Sequence, residues 1–430
     1  MSDTTPIYNL KAVMNEVGLS ASALRAWELR YGLPKPHRTA GGHRLYSRQD
    51  IEMLKWLVER KKEGLSISQA VEMWKVRGLG EQNISVQIPE PKAENSVGEG
   101  MLDQLCKQWT AACLEFVDPS ANRVLDQAFA IATPETVCTE VLQKGLAYIG
   151  EAWYAGTISV QQEHFASAIA IRRVNSLLRA IPSPTRTGRI LAACPPGELH
   201  DFILLLITYL LRRRGWDVVY LGANVPLKDL DVTIESTQPA LVLSTAQTLT
   251  SAASLRTMSE YLSRKGIPLA FGGGVFNMVP SAIKRISGYF LGTEVPMVPT
   301  TIESLVVAPP SMPVPQPLSA AYSHTLSSFL QNEAFIVSYV DSTMQALLIE
   351  PAHLEIAKDN LTQLIYSALI LGDITLLDPT ISWLNGLLGN HGLATGLVKQ
   401  FYTIYCQAVE SYLGEDGVMI QDWLSKQLSV

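Results

Sequence analysis

Cysteine is scarce in this chain. Its 430 residues contain five, Cys106, Cys113, Cys138, Cys194 and Cys406, scattered and without a CxxC pair. That leaves buried, reduced thiols of a cytosolic protein as the reading. Long hydrophobic runs are missing as well. The longest, Ile203 to Leu211, falls far short of the roughly 20 residues a membrane span needs, and it runs into Arg212, Arg213 and Arg214. No apolar signal segment opens the sequence, and no convincing internal repeat is found. A cytoplasmic location and no membrane partner are expected. Charged residues make up only 17%, against 47% hydrophobic, a globular balance that excludes wholesale disorder.

What is present divides along the chain. Its length is too great for one ordinary core and leaves room for about two to four domains. The net charge of -6 argues against a nucleic-acid partner until it is split. Residues 1–78 hold 13 Lys and Arg against 8 Asp and Glu, a net of +5. Residues 79–318 hold 18 against 21, and residues 319–430 hold 3 against 11, with no arginine. A basic head on an acidic body suggests local nucleic-acid contact. Two linkers separate the parts. Residues 79–100 are polar, with Pro89, Pro91, Gly98 and Gly100, and residues 307–318 carry five prolines that read as a stiff, extended spacer.

In the head, the pattern predicts a short helix over Leu10–Glu16, a turn at Gly18-Leu19 and a second helix with Ser20 as its N-cap. That is a helix-turn-helix, whose second helix can enter a major groove and would present Ser22 and Arg25. Arg30, Lys35, His37 and Arg38 follow, then the hairpin Gly41-Gly42-His43-Arg44, a cationic loop suited to phosphate or minor-groove contact. The run LRAWELRYGLPKPHRTAGGHRLYSRQDI resembles the winged-helix DNA-binding domain of the MerR regulators, over about residues 6–77. The resemblance implies a dimer on double-stranded promoter DNA. Ser22 and Arg25 would lie on the recognition helix and His43 and Arg44 on the wing, with Arg30 and Arg38 completing the DNA-binding set. Trp27, Leu45 and Tyr46 are expected to pack the small core. MerR dimers usually pair through a coiled coil after this domain. Here the chain turns polar and Pro-rich after Trp74, so pairing must come from elsewhere.

Residues 101–185 read as amphipathic helices. From Arg189 to about residue 306, strand-like runs (ILAAC, DVVYLG, ALVLST, PLAFGGG, YFLG) alternate with helical ones, the order of a doubly wound parallel sheet. Ligands in such sheets sit beyond the carboxyl ends of the strands. Glu198-Leu199-His200 stands at the end of the first strand, and Trp153 precedes Glu163-His164 in the helical part. Imidazole is a common metal ligand that a neighbouring carboxylate can orient, but a lone histidine is more often a hydrogen-bonded structural residue. Taken in order, these features resemble the cobalamin-binding module, a helical cap followed by a Rossmann-like α/β domain. Ser244, and Gly272, Gly273 and Gly274, fall where that family contacts the cobalamin nucleotide tail.

Together with the head, the architecture resembles the CarH-type light-dependent repressors. The resemblance implies adenosylcobalamin as cofactor and His200 as the lower cobalt ligand, beside Glu198. Trp153 would stack over the adenosyl group, and Glu163 would accept from its ribose with His164 alongside. It also implies a homo-oligomer, dimer or tetramer, that dissociates and leaves DNA when light breaks the Co–C bond. Three departures stand against the family pattern. Ile203 replaces the Gly of Glu/Asp-x-His-x-x-Gly, Tyr154 stands where a second His can occur, and residues 319–430 are additional. That tail reads as an acidic all-α domain with breaks at Pro351, Gly372, Pro379 and Gly414, open to a protein partner. No nucleophile–base pair emerges, so no enzyme is expected. The alternatives are a cobalamin-independent regulator with a vestigial corrinoid fold acting through protein partners, one holding another chromophore, and a corrinoid carrier enzyme.

Overall fold

The computed structural model describes residues 8–17, 19, 24, 27–28, 33–34, 36–38, 44–62, 96–346, 351–390 and 395–428. It divides into two compact units, residues 1–92 and 93–430.

In the first unit β1 (Tyr8–Asn9) leads into α1 (Leu10–Val17), and the Asn9 side chain accepts from the Ala12 amide at 2.9 Å as its cap. β2 (His37–Arg38) and β3 (Arg44–Tyr46) complete an antiparallel sheet in the order β1-β3-β2. α2 (Arg48–Lys62) begins at a reciprocal cap. The Asp50 amide donates to the Ser47 hydroxyl and the Ser47 amide to the Asp50 carboxylate. Val13, Leu24, Trp27, Tyr46, Leu54 and Leu57 form the core, which accounts for the aromatic residues in the RAWE and RLYS segments.

The second unit starts with a helical cap: α3 (Ser96–Leu114), α4 (Asp118–Ile131), α5 (Pro134–Val137), α6 (Lys144–Tyr154) and α7 (Val160–Leu178). The first of these begins at Ser96, inside the stretch read as linker. Trp109 is fully buried against Gly145, where a Cβ would lie 2.6 Å from the indole, so only glycine admits that approach. Burial pushes the Cys113 and Cys138 thiols up to about 12, and that of Cys194 likewise, which keeps them protonated and inert.

The sheet follows as β4 (Arg189–Ala193), α8 (Phe202–Arg213), β5 (Asp217–Gly222), α9 (Leu230–Thr237), β6 (Leu241–Thr245), α10 (Leu249–Arg264), β7 (Leu269–Gly272), α11 (Gly274–Met278), β8 (Tyr289–Phe290) and α12 (Val298–Val307). Its strands are parallel throughout, in the order β5-β4-β6-β7-β8. Alternate residues serve two different cores. Ile190, Ala192, Leu241, Leu243 and Ala270 face the side of α8 and the cap, whereas Leu191, Val242 and Phe271 face the side of α10. Both faces are covered, as a parallel sheet requires. α8 is buried from Leu204 to Leu211, which explains the longest apolar run in the sequence.

The tail contains α13 (Ala320–Ala346), α14 (Pro351–Leu371), α15 (Leu377–Asn390), α16 (Thr395–Leu413) and α17 (Val418–Leu428). Two expectations are corrected here. The Pro-rich stretch is a pinned strap and not a spacer. Pro310 accepts from the Tyr289 hydroxyl, Pro313 from the Ser287 hydroxyl at 3.4 Å, and the Gln316 amide donates to Lys284 at 3.0 Å. Pro379 does not break a helix but lies in the first turn of α15, where its missing N–H has no helical acceptor to lose. The tail helices also share one continuous core with the α10 side of the sheet, through Phe329, Ile365 and Ala368. Arg256 on α10 donates to the Leu371 carbonyl at 3.0 Å, and Arg285 pairs with Asp373 at 3.2 Å.

Candidate functional site

Beyond β4, residues 194–201 form a loop over the carboxyl edge of the sheet. Gly197 turns it with φ +81° and donates its amide to the Asn224 side chain at 2.8 Å. Glu198 is then driven inward to 1% exposure. One carboxylate oxygen accepts from the His200 amide at 2.8 Å and meets His200 Nδ1 at 2.8 Å. The other accepts from the Gln247 amide at 2.6 Å and the Ser251 hydroxyl at 2.7 Å. Burial opposes ionisation of Glu198, but the hydrogen bonds from His200, Ser251 and the two amides outweigh it and hold its carboxyl below the ordinary value. The same carboxylate raises the pKa of His200 against its own partial desolvation, with the charges of Glu163 and Asp201 adding to the shift. His200 is thus oriented through Nδ1, while its ring stays 68% exposed and Nε2 is the nitrogen left to a ligand.

His200 opens onto a cavity of about 570 Å³ between the cap and the strand ends. Leu146 and Ala147 of the cap, Ile203, Ile207 and Val298 supply apolar wall, and Gly272, Gly273 and Gly274 form its floor. A Cβ on Gly272 would meet nothing within 4 Å, so that glycine leaves room in the cavity. Gly273, at φ +125°, could not carry one, because it would stand 2.0 Å from the Ala246 carbonyl oxygen. Gln247 Nε2 on the cavity lining, and Ser244 Oγ in β6 beside the lining residue Thr245, are buried without a hydrogen-bond partner among the described residues. Orphaned polar atoms of this kind beside an apolar cavity suit a ligand with its own donors and acceptors.

On the cap, Glu163 accepts from the Ser167 hydroxyl at 2.7 Å and meets His164 Nδ1 at 2.7 Å, with His164 mostly exposed. Trp153 and Tyr154, at the end of α6, lie against the tail. Their rings stand 6.2 and 5.4 Å from that of Trp383. The structure therefore gathers Glu198, His200, Ser244, Gly272 and Gly273 at the strand ends, and sets Glu163 near enough for its charge to act on His200. Sequence reasoning missed Gln247, Ser251 and Trp383. The first two had a signal in the Ser/Thr-rich segment that follows ALVLST at a strand end; Trp383 had none.

In the head, Ser22, Arg25, Arg30 and His43 lie outside the described residues, as does the side chain of Arg38. Arg44 on β3 is described and is held by Glu28 at 2.9 Å.

A basic helix-and-wing head, joined to a helical cap over an open α/β site, defines a DNA-reading regulator with a corrinoid-type sensor module. Comparison with known proteins bears this out. Residues 8–75 match the MerR HTH family of regulatory proteins, and residues 105–178 and 188–293 each match a B12 binding domain. The chain belongs to the MerR family, in the branch that adds B12-binding domains and includes the CarH and CarA repressors. It is 32% identical to the HTH-type transcriptional repressor CarH of Myxococcus xanthus over 304 residues, which is 67% of this chain and 96% of that protein. It is 31% identical to the HTH-type transcriptional repressor CarA of the same organism, over 54% of this chain and 74% of the relative. Among solved structures, the monomethylamine corrinoid protein of Methanosarcina barkeri aligns with a TM-score of 0.42 and 17% identity, over 49% of this chain and 100% of that one. The protein is a DNA-binding transcriptional regulator with a cobalamin-binding module, and not an enzyme. No helix among the described residues is long and apolar enough to cross a membrane.

Proposed function

We propose that this regulator is a repressor whose oligomeric state and affinity for promoter DNA are set by adenosylcobalamin and light. The observation that carries the reading is His200, exposed at the cavity and fixed through Nδ1 by a buried, ionised Glu198. His200 Nε2 would ligate the cobalt. Ser244 and the glycines Gly272 and Gly273 would hold the nucleotide tail, and Trp153, Glu163 and His164 of the cap would cover the upper ligand. The bound cofactor supplies a cobalt–carbon bond that light cleaves. The protein's part is to offer two cap arrangements, of which the bound cofactor would stabilise one, so that loss of the adenosyl group would shift the population between them. Residues 1–78 would read the duplex, with Ser22, Arg25, Arg30, Arg38, His43 and Arg44 as contacts. Residues 101–306 would sense, and dimers or tetramers would form through parts other than a coiled coil.

The test uses the full chain, loaded with adenosylcobalamin in the dark and desalted. Retained corrinoid, a spectrum that changes under green light, and a parallel loss of promoter binding and of oligomer size are expected. A desalted protein without corrinoid would sink the proposal. Ile203, lining the cavity where the family pattern has glycine, favours a second reading in which the corrinoid fold is vestigial. Tight cobalamin binding that His200→Ala abolishes would refute that alternative.

A further inference from the structure

The tail meets the cap along one seam. The Trp383 ring stacks on Tyr154, with centroids 5.4 Å apart and planes at 24°, and lies 6.2 Å from Trp153. Asn390 of the same helix donates its side-chain amide to the Tyr154 carbonyl at 2.9 Å. Glycines permit the approach on both sides. A Cβ on Gly156 would stand 2.8 Å from the Asn390 carbonyl oxygen, and one on Gly386 would stand 2.2 Å from the Tyr154 hydroxyl. A seam with three aromatic rings, a hydrogen bond and two glycine clearances is a fitted contact.

Its two ends connect to different parts of the site. α6 runs from Leu146 and Ala147 on the cavity wall to Trp153 and Tyr154 at the seam, within 11 residues of one helix. The tail is tied to the sheet through Arg256 with the Leu371 carbonyl and Arg285 with Asp373. The tail thus bridges sheet and cap, and a cap that moves must break or drag the seam. Tyr154, the departure from the family's possible second histidine, has a structural partner here.

We propose that Trp383 is a positioning residue of the cobalamin site: anchored to the sheet through the tail, it holds Trp153 and Tyr154 of the cap and so sets the preference for a bulky upper ligand on cobalt. The inference rests on the cobalamin reading above. It is tested by dark binding of adenosylcobalamin and of hydroxocobalamin, which lacks the adenosyl group, to the full-length protein and to Trp383→Ala, Trp383→Phe and Gly386→Ala. The ratio of the two affinities is expected to fall in Trp383→Ala and Gly386→Ala, within the about 5–150-fold range of coupling between sites, with hydroxocobalamin affinity little changed. Trp383→Phe is expected to restore most of the preference. Gly386→Ala meets only the hydroxyl end of the Tyr154 side chain and no backbone, so it tests the seam independently should Trp383→Ala fold poorly. An unchanged ratio in the variants, or an equal loss for both cobalamins, overturns the positioning role alone. A wild-type protein that binds neither cobalamin overturns it together with the function beneath it.

Discussion

Glu198 is a buried carboxylate whose acceptor oxygens are shared by His200, Gln247 and Ser251. Removing its charge while keeping its shape leaves His200 without a fixed tautomer. Glu198→Gln is expected to weaken cobalamin binding about 10–100-fold, the usual cost of losing such a partner behind a metal-ligating histidine, as read by titrating hydroxocobalamin and following its absorption spectrum. The adjacent glycines separate folding from binding. Gly272→Ala places its methyl in open cavity space, so the melting temperature should hold while cobalamin affinity drops. Gly273→Ala forces a side chain to φ +125° and into the Ala246 carbonyl, so it should lose about 1–3 kcal/mol of stability from backbone strain alone. Equal effects of the two on thermal melts would contradict the geometry. At this scale the sequence was legible where chemistry is local. Glu198-x-His200, Ser244 and the glycine run stand at strand ends, which periodicity locates. Gln247 and Ser251 were signalled only by the polar segment after ALVLST, their partner Glu198 standing 49 and 53 residues away, and Trp383 was not legible at all, because its partners lie in the distant cap.

Among the elements, α10 shows why the rest stayed hidden. Its polar residues Ser251, Arg256 and Ser259 are all buried, Ser251 against Glu198, Ser259 against the Ser287 amide, and Arg256 beneath the tail. Nothing in a single amphipathic pattern announces a second layer. Arg256 is 5% exposed, and its guanidinium donates to the last carbonyl of α14 while pairing with Glu260. Arg256→Met would keep the packing volume but leave that carbonyl buried and unpaired. A loss of about 1.5–3 kcal/mol is expected, the range for a hydrogen bond to a charged group, measured by chemical denaturation. A change near zero would mean water reaches the Leu371 carbonyl. The alternation of strands and helices, by contrast, was readable throughout, because the β-runs are short and mostly apolar and the helices between them are set off by glycine or proline.

At the scale of the molecule, the chain comprises two compact units with separate cores. Among the described residues, the head's core holds nine buried apolar side chains between Val13 and Leu57. In the second unit, cap, sheet and tail are joined by extensive apolar packing. The tail shares the α10-side core, so it has no separate core with which to unfold alone. Denaturation followed by circular dichroism should therefore show two transitions, with sheet and tail lost together in one of them. A ligand that binds only the folded second unit stabilises that unit by mass action, by about 2.7 kcal/mol at a hundred times its dissociation constant. Hydroxocobalamin should thus move the second-unit transition to higher denaturant and leave the head's where it was. Movement of both would show that the ligand's binding energy reaches the DNA-reading head even without DNA, and a head transition that moves alone would place the corrinoid somewhere other than the His200 cavity.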